Sequence, residues 1–254
     1  MGMFLLTVLM VLSYCLLIKL HQFQNQSNKL KLGAKAKDKV LIVTAHPDDE
    51  CMFFSPTIIY FKEKGLEVNI LCLTNGGFDG LGKERAYELY KSCENFNIPL
   101  GQVSISNKFE DNPNVDYNAT KVAEVIKNQV KKHEITHVLT FDSYGVSGHK
   151  NHQSCFHGAK ILEKQKAFPH VQFYALESVS LLRKYIQVVD LVPSLLVSKM
   201  TSSGAKLILA SPAGYFQGYK SMLCHASQLV WFRRLFVILS RYMFINNFVE
   251  IKSY

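Results

Sequence analysis

Residues 40–50 read V-L-I-V-T-A-H-P-D-D-E. Six apolar or β-branched residues stop abruptly at a histidine, a proline and three consecutive acids. So short and continuous a run reads as a strand covered on both faces, the pattern of parallel sheets. The same pattern recurs at residues 68–74 (VNILCLT), 103–105 and 137–141 (HVLTF). Between these runs lie helix-length stretches. The spacing of Val122, Val125, Ile126 and Val130 predicts a helix over 120–133, and a second is expected over 82–96. Alternating strands and helices predict an α/β domain: a Rossmann-like, mostly parallel sheet with helices on both faces. In such sheets ligands bind beyond the carboxyl ends of the strands. Polar clusters follow the strands ending at residues 45, 74 and 141, so the fold would bring them together.

The first cluster is His46-Pro47-Asp48-Asp49-Glu50. Three adjacent carboxylates repel one another, and a divalent cation removes that cost; His and Asp suit zinc. The alternative is an acidic helix start capped by Asp48. The second cluster, residues 147–152 (SGHKNH), places His149 and His152 three apart, on one helical face. Beside the first cluster, His46, Asp49 and one of these histidines would make a three-ligand site with an open position. Asp142, at the end of its strand, reads either as an acceptor for a histidine N–H or as a turn residue. The third cluster, residues 75–82, holds four glycines and is followed by Arg85, a candidate for reaching substrate phosphate or hydroxyl. No phosphate-loop or dinucleotide fingerprint occurs, which disfavours nucleotide enzymes, and no H-E-x-x-H motif supports a zinc peptidase.

The chain of 254 residues carries 29 Lys+Arg against 20 Asp+Glu, a net charge of +9. Apolar residues are 48%, which excludes a disordered chain. Six scattered cysteines without a C-x-x-C pair argue against a disulfide framework and suit a reducing compartment. Residues 1–18 contain no charge, and about 18–20 apolar residues span a bilayer as a helix. No basic residue precedes the run, so it reads as a single-pass transmembrane anchor over 1–20 rather than a cleaved signal. The lysines that follow, in a basic linker over 21–39, place the rest of the chain in the cytosol. The main domain is expected over 40–225. Residues 226–254 are expected to form a C-terminal amphipathic helix, packed on the domain or on a membrane surface. His225, at its start, is positioned to line the site or to cap this helix.

With these clusters in place, the chain resembles the LmbE-like de-N-acetylases and, within them, the eukaryotic PIG-L family, the N-acetylglucosaminyl-phosphatidylinositol (GlcNAc-PI) de-N-acetylases. The resemblance is carried by AHPDDECMFFSPTI at 45–58, GLGKERAYEL at 80–89, TFDSYGVSGHKNH at 140–152 and HASQLVWFRRL at 225–235. It implies Zn2+ held by His46, Asp49 and His152, though such a site accepts other divalent metals. It implies Asp48 as the general base on the zinc-activated water, and His149 as a cationic residue that stabilises the oxyanion or protonates the leaving amine. Arg85, Asp142 and His225 complete the expected site as substrate contacts. The implied substrate is the glycolipid GlcNAc-PI, at the endoplasmic reticulum membrane with the catalytic domain facing the cytosol, and nucleic acid is no partner. A soluble amino-sugar substrate, or a silent membrane scaffold, is the alternative; the scaffold predicts a lost ligand or base, and none is lost.

Overall fold

The computed structural model describes residues 37–112, 115–201 and 205–252, with 15, 18, 19 and 35 besides. Almost all of the expected transmembrane helix and most of the linker lie outside the described residues. Among the described residues, no helix is long and apolar enough to cross a membrane.

The chain opens with β1 (Lys39–Thr44), α1 (Asp49–Glu63), β2 (Glu67–Cys72), α2 (Gly82–Asn95) and β3 (Val103–Ile105). It continues with α3 (Ala119–His133), β4 (His137–Phe141), α4 (Lys150–Lys164) and β5 (Gln172–Leu176). Then come α5 (Leu191–Thr201), β6 (Lys206–Leu209), α6 (Pro212–Leu223), α7 (Trp231–Leu239) and β7 (Ile245–Glu250). One sheet runs β3-β2-β1-β4-β5-β7-β6. The first five strands pair in parallel, as expected, while β7 runs antiparallel between β5 and β6.

The expected strand over 40–45 is buried throughout, with Val40, Leu41, Ile42 and Val43 at 0–1% exposure. Each such side chain contributes about 1.5–3 kcal/mol by leaving water. This central strand touches α1 on the one hand and the α3–α4 pair on the other. Helix α3 starts where Asn118 accepts the Lys121 N–H at 3.1 Å and ends at Glu134 in the left-handed region. Its buried face is Val122, Ala123, Val125, Ile126 and Val130, the spacing that predicted it.

The C-terminal region differs from expectation. The described residues of 226–254 do not form one helix, and their strand joins the sheet of the main domain. Only Trp231–Leu239 is α-helical, and Ile245–Glu250 is a strand inside the sheet. The break falls at Ser240-Arg241, for electrostatic reasons. Arg241 is fully buried and pairs with Asp190 at 2.7 Å, and Asp190 also pairs with Arg183 at 2.6 Å. A continuing helix would carry this guanidinium past its partner.

The sheet order reverses between β1 and β4, since β2 lies to one side of β1 and β5 beyond β4. A crevice forms at such a switch point. Residues 46–50 leave β1, and residues 142–152 leave β4, into that crevice.

Candidate active site

Asp49, the first residue of α1, is buried at the switch point. Its Oδ2 accepts the backbone N–H groups of Ala45 (3.0 Å) and His46 (2.9 Å), which fixes the carboxylate. Its Oδ1 faces His152 Nε2 at 3.2 Å, and His46 Nδ1 lies 3.6 Å from Oδ2. His152 Nδ1 meets the Gly145 carbonyl at 3.0 Å. A carbonyl only accepts, so Nδ1 carries the proton and, in a neutral ring, Nε2 points a lone pair toward Asp49. The ring is stacked on Phe141, centroids 4.0 Å apart and planes nearly parallel.

His46, Asp49 and His152 thus converge, with donor atoms within 4.8 Å of one another. Their chemistry fits a divalent cation. A lone pair facing a carboxylate is repulsive until a positive charge lies between them. The surroundings attract such a charge. Burial opposes protonation of His46, yet Asp111 and Asp49 hold its pKa up to about 10. Burial would push Asp49 up, but His152 and His46, in their charged forms, outweigh it and hold its carboxyl well below the ordinary range.

Asp48 precedes α1 with φ 115°, a left-handed conformation that strains a non-glycine residue. Its side chain does not cap the helix, which removes the capping reading of the acidic run. The turn is held by Glu50, whose Oε2 accepts the Asp48 N–H at 3.0 Å. Asp48 Oδ2 is buried without a hydrogen-bond partner, 3.3 Å from Arg233 and 3.7 Å from Arg85. Burial raises its pKa, with Arg233 and Arg85 pulling the other way.

Asp48, Asp49, His46, His149 and His152 all line one cavity of about 520 Å³. His149 stands exposed at its edge, with its ring 5.1 Å from that of His152. Partial burial and the neighbouring His152 lower its pKa.

Arg85 lines the cavity but is already engaged. It donates to the Pro47 carbonyl at 2.8 Å and the Gly76 carbonyl at 3.2 Å, tying the loops after β1 and β2 together. Gly76 permits this, because its φ is +73° and an added Cβ would sit 2.6 Å from the Arg85 guanidinium carbon.

Two expected substrate contacts are placed elsewhere. Asp142 accepts from the backbone of Tyr144, Gly145 and Ser178 and from the Ser178 hydroxyl, outside the cavity. Four donors consume its carboxylate, so it shapes the loop whose Gly145 carbonyl orients His152. Its effect on the histidine is indirect. His225 is fully buried and pairs with Glu50 at 2.8 Å, beneath the cavity floor rather than in it.

Sequence reasoning missed Asp111. It comes from the loop after β3, lies 3.3 Å from His46 Nε2 and 3.6 Å from Arg85, and accepts the Phe78 N–H. No motif marks it. Also missed as cavity residues were Lys184 and Arg233.

A seven-stranded, mostly parallel sheet with such a crevice is shared with known deacetylases. The N,N'-diacetylchitobiose deacetylase of Pyrococcus horikoshii superposes with a TM-score of 0.58 at 16% identity, over 84% of this chain and 83% of that one. At this identity the likeness shows the fold, and the class of enzyme, a hydrolytic N-deacetylase, follows from the sequence relatives. At the sequence level, the family model described as GlcNAc-PI de-N-acetylase matches residues 41–162. A Dictyostelium discoideum protein, a "Probable N-acetylglucosaminyl-phosphatidylinositol de-N-acetylase", is 36% identical over 92% of this chain and 100% of its own length. The Bos taurus N-acetylglucosaminyl-phosphatidylinositol de-N-acetylase is 38% identical over 82% of each chain. The chain belongs to the PIG-L family of GlcNAc-PI de-N-acetylases.

Proposed function

We propose that the chain hydrolyses the acetamide of GlcNAc-PI to free glucosaminyl-phosphatidylinositol and acetate. The observation that carries the reading is Asp48: a strained, buried carboxylate with an unpartnered oxygen, lining the same cavity as the His46, Asp49 and His152 donors. A divalent ion held by those three residues, which we assign as zinc, supplies Lewis acidity toward water and the acetyl carbonyl.

The remaining steps belong to the chain's own groups. Asp48 takes a proton from the attacking water, and its raised pKa brings it closer to that task. His149 hands a proton to the departing sugar nitrogen, and a lowered pKa makes it a willing donor once charged. Arg85 acts mainly by holding Asp48's loop through the Pro47 carbonyl. Lys184, which forms no ion pair among the described residues, gives an anionic phosphodiester a counter-charge in the same cavity.

We assign the chain to the endoplasmic reticulum membrane, single-pass, with the catalytic domain in the cytosol. The uncharged run over 1–18 and the lysines after it support this. Protease treatment of intact microsomes tests it: the domain should be digested, and a protected domain rejects the topology.

Asp48→Asn tests the mechanism. Acetate release from GlcNAc-PI should fall about 10²- to 10⁴-fold, the range for losing a positioned proton acceptor, with bound metal unchanged. Full activity in Asp48→Asn would remove Asp48 from the base role.

A further inference from the structure

The region around the cavity mouth carries apolar side chains facing outward. At about 100° per residue, Trp231, Leu235, Leu239 and Phe232 of α7 fall within one arc of about 100°, and all four are exposed. The opposite side of α7 is anchored in the domain through Phe236 and Val237. A surface helix normally turns its polar side to water, so this helix is inverted on one stripe.

The stripe has a neighbour. A short helical turn, Leu181–Lys184, lies against α7: Tyr185 meets the Phe236 ring at 6.3 Å, and Gln187 donates to the Ile238 carbonyl at 2.9 Å. That turn exposes Leu181 and Leu182, at 73% and 77%, much as Trp231 is exposed at 73%. Tyr185, Phe232 and Phe236 also line the cavity, so its mouth opens between the two apolar elements.

Charge identifies what covers this face. Residues 178–189 and 226–249 contain no acid. Of their five cations, Arg183 and the fully buried Arg241 pair with Asp190 and Arg233 pairs with Asp48, which leaves Lys184 in the cavity and Arg234 outside it. Arg234 is exposed beside the stripe. An apolar stripe bordered by an exposed arginine, with no acid in either segment, matches an anionic phospholipid surface, where side chains enter the acyl boundary and the guanidinium meets phosphate. A second copy of the chain would bring like charges together.

We propose that α7 and the 181–185 turn form a docking face for an anionic bilayer, which sets the cavity mouth on the headgroup layer. The face binds lipid whatever the cavity holds. It rests on the glycolipid reading only for what enters the mouth: a headgroup sugar reaches the donor cluster without its acyl chains leaving the membrane.

Trp231 is the only tryptophan in the chain and reports on the face directly. The full chain is reconstituted in vesicles of phosphatidylcholine with phosphatidylinositol, with and without bromine on the acyl chains. Trp231 emission should shift to the blue and be quenched by the brominated lipid. Unquenched emission in vesicles overturns the face. So does a blue shift that appears without lipid and grows with protein concentration, since a second copy then covers it. In a second arm, Leu181→Ser/Leu182→Ser/Leu235→Ser should lower turnover of vesicle-borne GlcNAc-PI by about tenfold or more, through lost apolar partitioning. Turnover of the acyl-free N-acetylglucosaminyl-inositol phosphate should stay unchanged. An equal loss on both substrates makes the face a structural one and rejects docking. If the wild type turns over neither substrate, the glycolipid reading fails, while the fluorescence arm still decides the docking.

Discussion

Glu50→Gln perturbs the site through a residue that lies beneath the cavity rather than in it. The Glu50 carboxylate is fully buried; Oε2 accepts the Asp48 N–H at 3.0 Å, and Oε1 meets His225 Nε2 at 2.8 Å and the Ser92 hydroxyl. The φ of 115° at Asp48 costs a non-glycine residue about 1–3 kcal/mol. A hydrogen bond to a charged acceptor contributes about 1.5–3 kcal/mol. The two are of one size, so this bond holds the strained turn in place. Glutamine keeps the volume but loses the charge, and its single oxygen cannot serve both sides. If the competent turn loses that 1.5–3 kcal/mol, its population falls roughly 10- to 150-fold, and kcat with it, at about 1.4 kcal/mol per decade. Bound metal should not change, because His46, Asp49 and His152 are untouched. The assay is kcat for acetate release from GlcNAc-PI beside metal analysis of the same preparation. A loss below about threefold, under half the free energy of the weakest such bond, would refute the tether.

The same pair predicts a pH dependence. Burial opposes charging of His225, yet Glu50 holds its pKa above 6.5, so the stabilisation is full below pH 6.5 and is lost as pH rises through the folded pKa. Urea titrations should show the stability gap between wild type and Glu50→Gln narrowing above that pH, and a gap independent of pH would mean His225 is uncharged. Gly76→Ala should cost about 1–2 kcal/mol from the left-handed backbone alone. Because its Cβ also displaces the Arg85 guanidinium, kcat should fall in the protein that remains folded, and unchanged kinetics would show that Arg85 does not organise the Asp48 loop. Asp190→Ala leaves Arg183 and the buried Arg241 without their shared counter-charge and should destabilise by about 3–5 kcal/mol. Denaturant midpoints measure this, and a change under about 1 kcal/mol would mean water already screens the pair.

The first half of the fold was legible and the second was not. Strands β1 to β4 and helices α2 and α3 fall within two residues of expectation, because continuous β-branched runs and 3.6-residue spacing are local signals. Strand β7 hides behind Asn246 and Asn247, whose polarity argues against a core strand. Their side chains are satisfied by partners the fold brings in: Asn246 by the sequence-distant Thr57 and Phe53 carbonyl, Asn247 by the buried Arg241 across the turn before the strand. Only the tertiary structure makes those asparagines cheap to bury. The site divides in the same way. His46, Asp48 and Asp49 directly follow β1, and His149 and His152 stand in a compact H-x-x-H cluster after β4, so chain order and motif announce them. Asp111 belongs to a loop with no such marker and meets His46 only when β3 pairs with β2. Asp142 was legible as a histidine acceptor or a turn residue, and His225 as a site or cap residue, but neither partner was, since a side chain's direction is not written in its spacing.

The adjacency of Asp48 and Asp49 explains how one short segment supplies two kinds of carboxylate. A single peptide bond separates them, yet their environments push them in opposite directions. Asp49 enters the helix in regular geometry, takes two backbone N–H groups on one oxygen, and keeps the other toward His152. It stays ionised at low pH, as a cation's ligand must. Asp48 is turned away by its left-handed φ, receives no hydrogen bond on Oδ2, and is raised by burial and by the charge of Asp49 itself. It is thereby closer to exchanging a proton near neutrality. Two acids held apart in this way divide holding a cation from moving a proton. On the proposed mechanism the backbone strain at Asp48 is part of the chemistry, and Glu50, which accepts the Asp48 N–H, holds it in place.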